Sequence, residues 1–228
     1  MITQLTLPKF KIDLPMSKRK VEIRPFTVKE ENILLLASEE GTIEAITNSM
    51  EQIFSNCTFD KESIDSMSKI DAEYLYVQIR NRSMGEGVTI KGICKECKHK
   101  TPIILEYDKV QVANKDYKSE PVKLTDNVWV TLKLPSLKDS FVIAEKADSV
   151  VALAYAIDTI IEDDEAKNAS DYSIEERVEF IESMTASQIE LFKPFFDNMP
   201  VLYLNVDYTC KCGVENHIHI EGVENFFA

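Results

Sequence analysis

The 228-residue sequence predicts an α+β fold, in which a helical region is joined to a zinc-ribbon-like β region. Helical and strand-like segments occur in successive blocks rather than in the βαβ order that is typical of a parallel sheet. Two cysteine pairs each lie between strand-like segments, and a long α/β insertion separates the two pairs. The composition, with 44% hydrophobic and 29% charged residues, is that of a soluble globular chain with a real core.

The N-terminal part predicts an extended arm, because the prolines after Leu7 and Leu14 disfavour helix at the residues that precede them. Residues 27–30 (TVKE) have the capping-box pattern and predict the start of a helix. Apolar side chains at helical spacing predict two more helices, over residues 42–57 and 68–82. This part of the chain is therefore expected to be an arm followed by a helical region.

Alternating apolar side chains predict strands on both sides of each cysteine pair and a hairpin over residues 122–134. Helices are predicted to return over 136–147, 149–162, 174–184 and 186–197. We call each cysteine-bearing turn a knuckle. The predicted regions are an arm, a helical region, the first knuckle with its strands, a helical insertion, and the second knuckle with the C-terminal strands: residues 1–26, 27–87, 88–135, 136–200 and 201–228.

Four of the five cysteines form two closely spaced pairs, a CxxC motif at residues 94–97 and a CxCG motif at residues 210–213. Strand-like segments around each pair predict two turns that present four thiolates to one ion, as zinc ribbons do. A redox-active CxxC motif and unrelated free thiols are the alternatives. We predict a structural zinc whose ligands are Cys94, Cys97, Cys210 and Cys212.

The three histidines lie close to the cysteine pairs in sequence. His217 and His219 alternate on a predicted strand and face the same side, so either one is an alternative ligand to a cysteine. An open site with a histidine ligand is able to activate water, whereas four cysteines fill a tetrahedral zinc and are typical of a structural site. His99 is expected to be solvated, and Cys57 to be a small buried apolar residue.

The formal net charge of −13, from 39 acidic and 26 basic residues, disfavours general binding to nucleic acid or to an anionic membrane. No segment approaches the roughly 20 apolar residues of a membrane helix, and the N-terminus lacks the apolar core of a signal peptide. We therefore expect a reducing cytoplasmic location, where disulfides are rare. The familiar nucleophile and phosphate-binding motifs do not occur, so no catalytic residue, enzyme activity or small-molecule substrate is predicted.

Three features occur in a fixed order: residues 24–31 (RPFTVKEE), residues 79–86 (IRNRSMGE), and the CxxC and CxCG motifs. Together with the length, they resemble the baseplate hub assembly family of T-even-like contractile-tailed bacteriophages, the gene-product-26-like proteins, over residues 7–221. The resemblance implies a non-enzymatic assembly role, either as a hub component or as a chaperone that is absent from the finished particle. A metal site at the cysteine pairs is also implied, although CxC differs from the second CxxC of a plain ribbon.

The partners that this resemblance implies are other phage baseplate hub proteins, in the host cytoplasm during assembly or in the virion baseplate. Apolar side chains of the arm are expected to add a strand to the sheet edge of a partner: Leu5, Leu7, Phe10, Ile12 and Leu14. The alternative function is a zinc-ribbon nucleic-acid-binding accessory protein. Its binding surface would be the local positive patch at the knuckles: Lys95, Lys98, His99, Lys100 and Lys211.

Overall fold

The computed structural model describes residues 5–59, 67–84 and 89–222, and its mixture of helix and sheet confirms the predicted α+β class. Residues 223–228, at the end of the last predicted region, lie outside the described ranges. The chain forms two compact units, each assembled from segments that are distant in sequence. Unit 1 comprises Met1–Ser63, Ile70–Lys115 and Pro200–Ala228, and unit 2 comprises Ile64–Lys69 and Asp116–Met199.

The strands and helices are numbered separately in chain order. The strands are β1 (Phe10–Asp13), β2 (Lys20–Ile23), β3 (Thr89–Ile93), β4 (Lys100–Ile104), β5 (Gln111–Ala113), β6 (Val122–Lys123), β7 (Val128–Leu132), β8 (Ile157–Glu162), β9 (Glu165–Asn168), β10 (Val201–Thr209) and β11 (Glu215–Glu221). The helices are α1 (Val28–Glu40), α2 (Ile43–Cys57), α3 (Lys69–Met84), α4 (Leu137–Lys146), α5 (Ser149–Ala156), α6 (Ile174–Glu182), α7 (Ala186–Glu190) and α8 (Lys193–Asp197).

The segment predicted as an extended arm contains an antiparallel hairpin of β1 and β2. Ile12 and Val21 of this hairpin are buried, because alternate residues of a strand face the same side of it. Helix α1 follows and begins at a capping box, in which Thr27 accepts a backbone hydrogen bond and Glu30 accepts one from the Thr27 amide. The capping box that the sequence predicts at this position is confirmed.

The sheet of unit 1 is antiparallel, with β10 between β11 and β5, and β3 pairs with β4 in a separate hairpin. Strand β4 follows the first cysteine pair in the sequence, and strand β10 precedes the second pair. The two ends of the long insertion between the pairs thus belong to the same unit. Apolar residues of both chain segments share one buried cluster, which is what stabilises their association. The cluster is Ile70, Val77, Leu105, Tyr107, Val110, Leu202, Leu204 and Ile220.

Unit 2 contains an antiparallel sheet in the order β6-β7-β8-β9. In the sequence, α4 and α5 lie between β7 and β8, and α6 to α8 follow β9. The predicted helix over residues 149–162 is only half correct, since α5 ends at Ala156 and the remainder is strand β8. Ile157, Thr159 and Ile160 are β-branched, which favours a strand, and β8 pairs with β7 and β9 on its two sides. An apolar run does not by itself reveal this pairing, because the partner strand β7 lies about 30 residues earlier.

The last predicted helix of the insertion, over residues 186–197, is in fact two short helices, α7 and α8. Pro194 lies in the first turn of α8, where its missing N–H costs nothing, whereas inside one continuous helix it would remove a hydrogen bond. Phe192 and Phe195 lie at this interruption, and both are buried in the core of unit 2. That core is Val130, Leu132, Leu153, Ala154, Ala156, Ile157, Ala169, Ile181, Phe192 and Phe195.

Candidate metal centre

The first knuckle is the turn that joins β3 to β4. The Cys94 amide donates to the His99 carbonyl at 3.0 Å, and the Lys98 amide donates to the Cys94 carbonyl at 3.1 Å. Lys98 has a φ angle of 58°, so the chain uses a left-handed residue to close the turn. These constraints place the side chains of Cys94 and Cys97 in one short turn of fixed geometry.

The second knuckle is the turn between β10 and β11. The Cys210 amide donates to the Val214 carbonyl at 2.9 Å, and the Gly213 amide donates to the Cys210 carbonyl at 2.8 Å. Gly213 has a φ angle of 84°, a conformation that residues with a Cβ atom rarely adopt. The glycine of the CxCG motif therefore makes the turn that the sequence predicts, and Cys212 lies within it.

The fold brings the two knuckles together within unit 1, and the four sulfur atoms all lie within 4.8 Å of one another. The Cys94 and Cys212 sulfurs are 3.7 Å apart, and those of Cys97 and Cys210 are 3.6 Å apart. A tetrahedral zinc with Zn–S bonds of about 2.3 Å separates its sulfur ligands by about 3.8 Å. Both the spacing and the soft thiolate donors therefore fit a tetrahedral metal site.

The first knuckle favours an ionised sulfur at Cys94. Hydrogen bonds from the backbone amides of Cys97 and Glu96 and from the Asn216 side chain lower its pKa to about 6, although burial of the sulfur acts against them. The thiolate is the form that ligates a metal. The turn itself therefore favours the form of Cys94 that is able to bind a metal.

Cys212 shows the electrostatic cost of holding four sulfurs this close. A hydrogen bond from the Val214 amide lowers the pKa of Cys212, but the neighbouring sulfurs of Cys97, Cys210 and Cys94, together with burial, raise it to about 12. Adjacent negative charges oppose further ionisation, and a bound cation removes that opposition. A bound cation would therefore favour ionisation of all four sulfurs.

Asn216 supports both knuckles and was not among the residues predicted from the sequence. Its side-chain oxygen accepts from the Lys95 amide at 2.9 Å, and its side-chain nitrogen donates to the Val214 carbonyl at 2.9 Å and contacts the Cys94 sulfur at 3.7 Å. Hydrogen bonds around metal ligands fix their orientation. The sequence offers no sign of this role, because the contacts with Lys95 and Cys94 join residues about 120 positions apart.

The histidines lie on strand β11 with partners of their own across the sheet. His217 Nδ1 is 2.7 Å from the Asp207 carboxylate, and His219 Nδ1 is 2.7 Å from the side-chain oxygen of Asn205. The His219 ring also stacks on Tyr203, with the ring centroids 5.5 Å apart. Among the described residues, the group that the structure identifies as able to hold a metal contains the four cysteines and neither histidine.

The two motifs that carried the family resemblance contact each other in unit 1. The Phe26 amide donates to the Ser83 hydroxyl at 2.8 Å, which joins the start of α1 to the end of α3. Arg24 forms a 2.9 Å ion pair with Glu30, whose side chain is only 3% exposed. Burial raises the pKa of the buried Cys57 thiol beside them to about 12, which agrees with the predicted role as a small apolar residue.

Comparison with models of known protein families matches residues 7–228 to the family described as T4 bacteriophage base plate protein. A search of curated proteins and a search of solved structures each gave no match. The match covers both motifs described above and both knuckles. In the part of the chain that the structure describes, no helix has the length and apolarity needed to cross a bilayer.

Proposed function

The chain belongs to the family of T4 bacteriophage base plate proteins, and from this premise we propose that it is a non-enzymatic assembly protein of the phage baseplate hub. It acts by binding other hub proteins, as a chaperone or as a hub component, in the host cytoplasm during assembly. The observation that carries this proposal is the family match over nearly the whole chain.

The proposed role of the metal centre is structural. Zinc bound by Cys94, Cys97, Cys210 and Cys212 has four protein ligands and no position for a water molecule, which catalytic zinc sites retain. The sulfur spacing and the amide hydrogen bonds support this assignment. The ion joins two chain segments that are more than 100 residues apart, so its contribution is to the stability of unit 1.

The N-terminal segment is one proposed partner contact. Some of its apolar side chains are buried in unit 1 and so are not accessible to a partner. Ile12 and Leu14 are 5% and 1% exposed, so both are already used in unit 1, whereas Leu5 is 90% exposed. Leu5, unlike Ile12 and Leu14, is therefore accessible to a partner sheet. Deleting residues 1–8 is expected to weaken partner capture while changing the melting temperature by less than about 2 °C.

A second proposed contact is an apolar groove of about 510 Å³ in unit 2. Helices and their connections line it, with no strand edge, so it is suited to an amphipathic helix anchored by apolar side chains. Unit 2 contains 19 acidic and 9 basic residues and so carries a net charge of −10, which favours a helix flanked by lysine or arginine. The principal lining residues are Val150, Leu153, Met184, Ile189, Phe192 and Phe196.

Native mass spectrometry of the protein, expressed alone and with other baseplate proteins of the same phage, tests the proposal. One zinc per chain and a stable hetero-complex are the expected results. A chain that binds none of these proteins refutes the assembly role, whereas co-purified nucleic acid that dissociates with salt supports the alternative accessory role. A metal-free chain with all thiols reduced refutes the structural zinc.

Two matched substitutions test the groove. Phe196→Glu changes a groove residue and Trp129→Glu changes a residue of β7 that does not line the groove, and each native side chain is 37% exposed. We expect Phe196→Glu to weaken the hetero-complex at least tenfold and Trp129→Glu to leave it unchanged. Equal binding by both variants refutes the groove as the contact without affecting the assembly role itself.

A further inference from the structure

The hairpin of β1 and β2 repeats the geometry of the hairpin that carries the first knuckle. The cross-strand pair Phe10↔Ile23 corresponds to the pair Ile90↔Ile103, and the three following pairs keep the same offset of 80 residues. Four residues are identical between the two hairpins at this offset, including the lysine that immediately follows each turn, Lys20 and Lys100. The repeat concerns unit 1 alone and does not depend on the assembly role proposed above.

The turns of the two hairpins also match. Each begins at a buried residue, Leu14 in one and Cys94 in the other, whose amide donates to the carbonyl five residues later. Each has a left-handed residue four positions on, Lys18 and Lys98, and both have a φ angle of 58°. The amide of that lysine donates to the carbonyl of the first turn residue in both cases.

The amides of the third and fourth turn residues identify what each turn binds. In the first knuckle these are the amides of Glu96 and Cys97, and both hydrogen-bond to the sulfur of Cys94. The corresponding amides of the other hairpin belong to Met16 and Ser17, and they donate to the two carboxylate oxygens of Asp71 at 2.8 and 2.9 Å. Asp71 is 1% exposed and lies in the first turn of α3, more than 50 residues away in sequence.

We infer that the β1–β2 hairpin is a metal-free knuckle, whose turn is a binding site for a carboxylate that Asp71 fills. Two successive amides that converge on one point form a concave site for an anion. Cysteine supplies the anion from within the turn at Cys94, whereas Leu14 cannot do so, and the anion comes from α3 instead. The β1–β2 hairpin is thereby attached to α3 without any metal, while the β3–β4 hairpin depends on the sulfur cluster.

Removing the carboxylate and supplying a small one from solution tests the site. In Asp71→Ala we expect the melting temperature to fall by roughly 5–10 °C and the amides of Met16 and Ser17 to exchange hydrogen at least about tenfold faster. Sodium formate is expected to restore part of both losses, beyond the effect of sodium chloride at equal ionic strength. Formate that acts no better than chloride, or amides that exchange as in the wild type, overturns the inference.

Two further variants separate carboxylate binding from other causes. Asp71→Asn fills the same space with an amide, so it is expected to be destabilised and to gain nothing specific from formate. Asp108→Ala removes an exposed carboxylate of unit 1 that accepts a hydrogen bond from Asn81, and neither stability nor the two amides should change appreciably. Formate rescue of Asp71→Asn equal to that of Asp71→Ala contradicts a vacated site.

Metal removal from the wild-type protein provides a test that requires no variant to fold. After treatment with a zinc chelator, the amides of Glu96 and Cys97 are expected to lose protection, while those of Met16 and Ser17 keep it. Simultaneous loss at both turns refutes the independence of the β1–β2 hairpin from the sulfur cluster. If the chelator changes neither turn, the structural zinc is refuted, and protected amides at Met16 and Ser17 still support the carboxylate site.

Discussion

The buried ion pair between Arg24 and Glu30 offers the most direct test of how unit 1 is stabilised. Burial raises the pKa of Glu30, but hydrogen bonds from Arg24, from the Thr27 hydroxyl and from the Thr27 amide more than offset it, and the pKa falls from 4.5 to about 2. A difference of one pKa unit corresponds to about 1.4 kcal/mol, so the ionised form gains about 3 kcal/mol on folding. We expect Glu30→Gln to lower the free energy of unfolding at pH 7 by about that amount.

The pH dependence follows from the direction of the shift. Because the folded pKa lies below the unfolded one, the contribution of Glu30 is complete above about pH 4.5 and is lost as the pH falls towards 2. The wild type and Glu30→Gln should therefore differ most near neutral pH and converge in acid. This convergence distinguishes the lost charge from a packing defect, which would persist at every pH.

Urea denaturation followed by far-UV circular dichroism, at several pH values, measures the effect. The single tryptophan, Trp129, lies in unit 2, so its fluorescence follows that unit and provides an internal reference. Glu39→Gln, at the exposed end of the same helix, is the matched control and should change stability by less than about 0.5 kcal/mol. A Glu30→Gln protein that is as stable as the wild type at pH 7 would refute the reasoning.

Three further predictions concern the metal centre, a close packing contact and a helix cap. Cys97→Ser should reduce bound zinc from about one ion per chain to nearly none, which elemental analysis measures. Gly92→Ala should cost about 1–3 kcal/mol in urea denaturation, because its Cβ atom would collide with Ile103 and lie 2.8 Å from the Tyr208 ring; unchanged stability would contradict this packing. Asp148→Ala removes the oxygen that accepts from the Val150 amide at 2.7 Å, and a loss of about 1 kcal/mol is expected in the same assay.

The two cysteine-bearing turns could be predicted from the sequence because each is formed by a few consecutive residues. The spacing of Cys94 and Cys97, and of Cys210 and Cys212 before Gly213, specifies two tight turns whatever lies between them. The capping box at the start of α1 is local in the same sense, since it involves four consecutive residues. Such features depend on short-range hydrogen bonding, so they can be recognised from the residue types at a few neighbouring positions.

Strand β8 and the break between α7 and α8 show where local patterns are insufficient. The apolar run that ends at Ile161 suits a buried helix as well as a strand, and only pairing with β7 decides between them. Likewise, the cluster of Phe192 and Phe195 in the core of unit 2 depends on neighbours from several other elements. Tertiary packing outweighs propensity in these segments, because the burial of many side chains exceeds the small local preferences.

By itself, the sequence determined the two cysteine-bearing turns, the capping box at the start of α1 and the motifs that resemble a baseplate family, since each depends on residues adjacent or nearly adjacent in the chain. The tertiary structure alone revealed that Asn216 braces Cys94, and that Met16 and Ser17 bind Asp71. These contacts join residues 54 to 122 positions apart, and hydrogen bonds at such distances leave no periodic trace in a single sequence. They form only when the folded chain brings a donor and an acceptor to the same buried point.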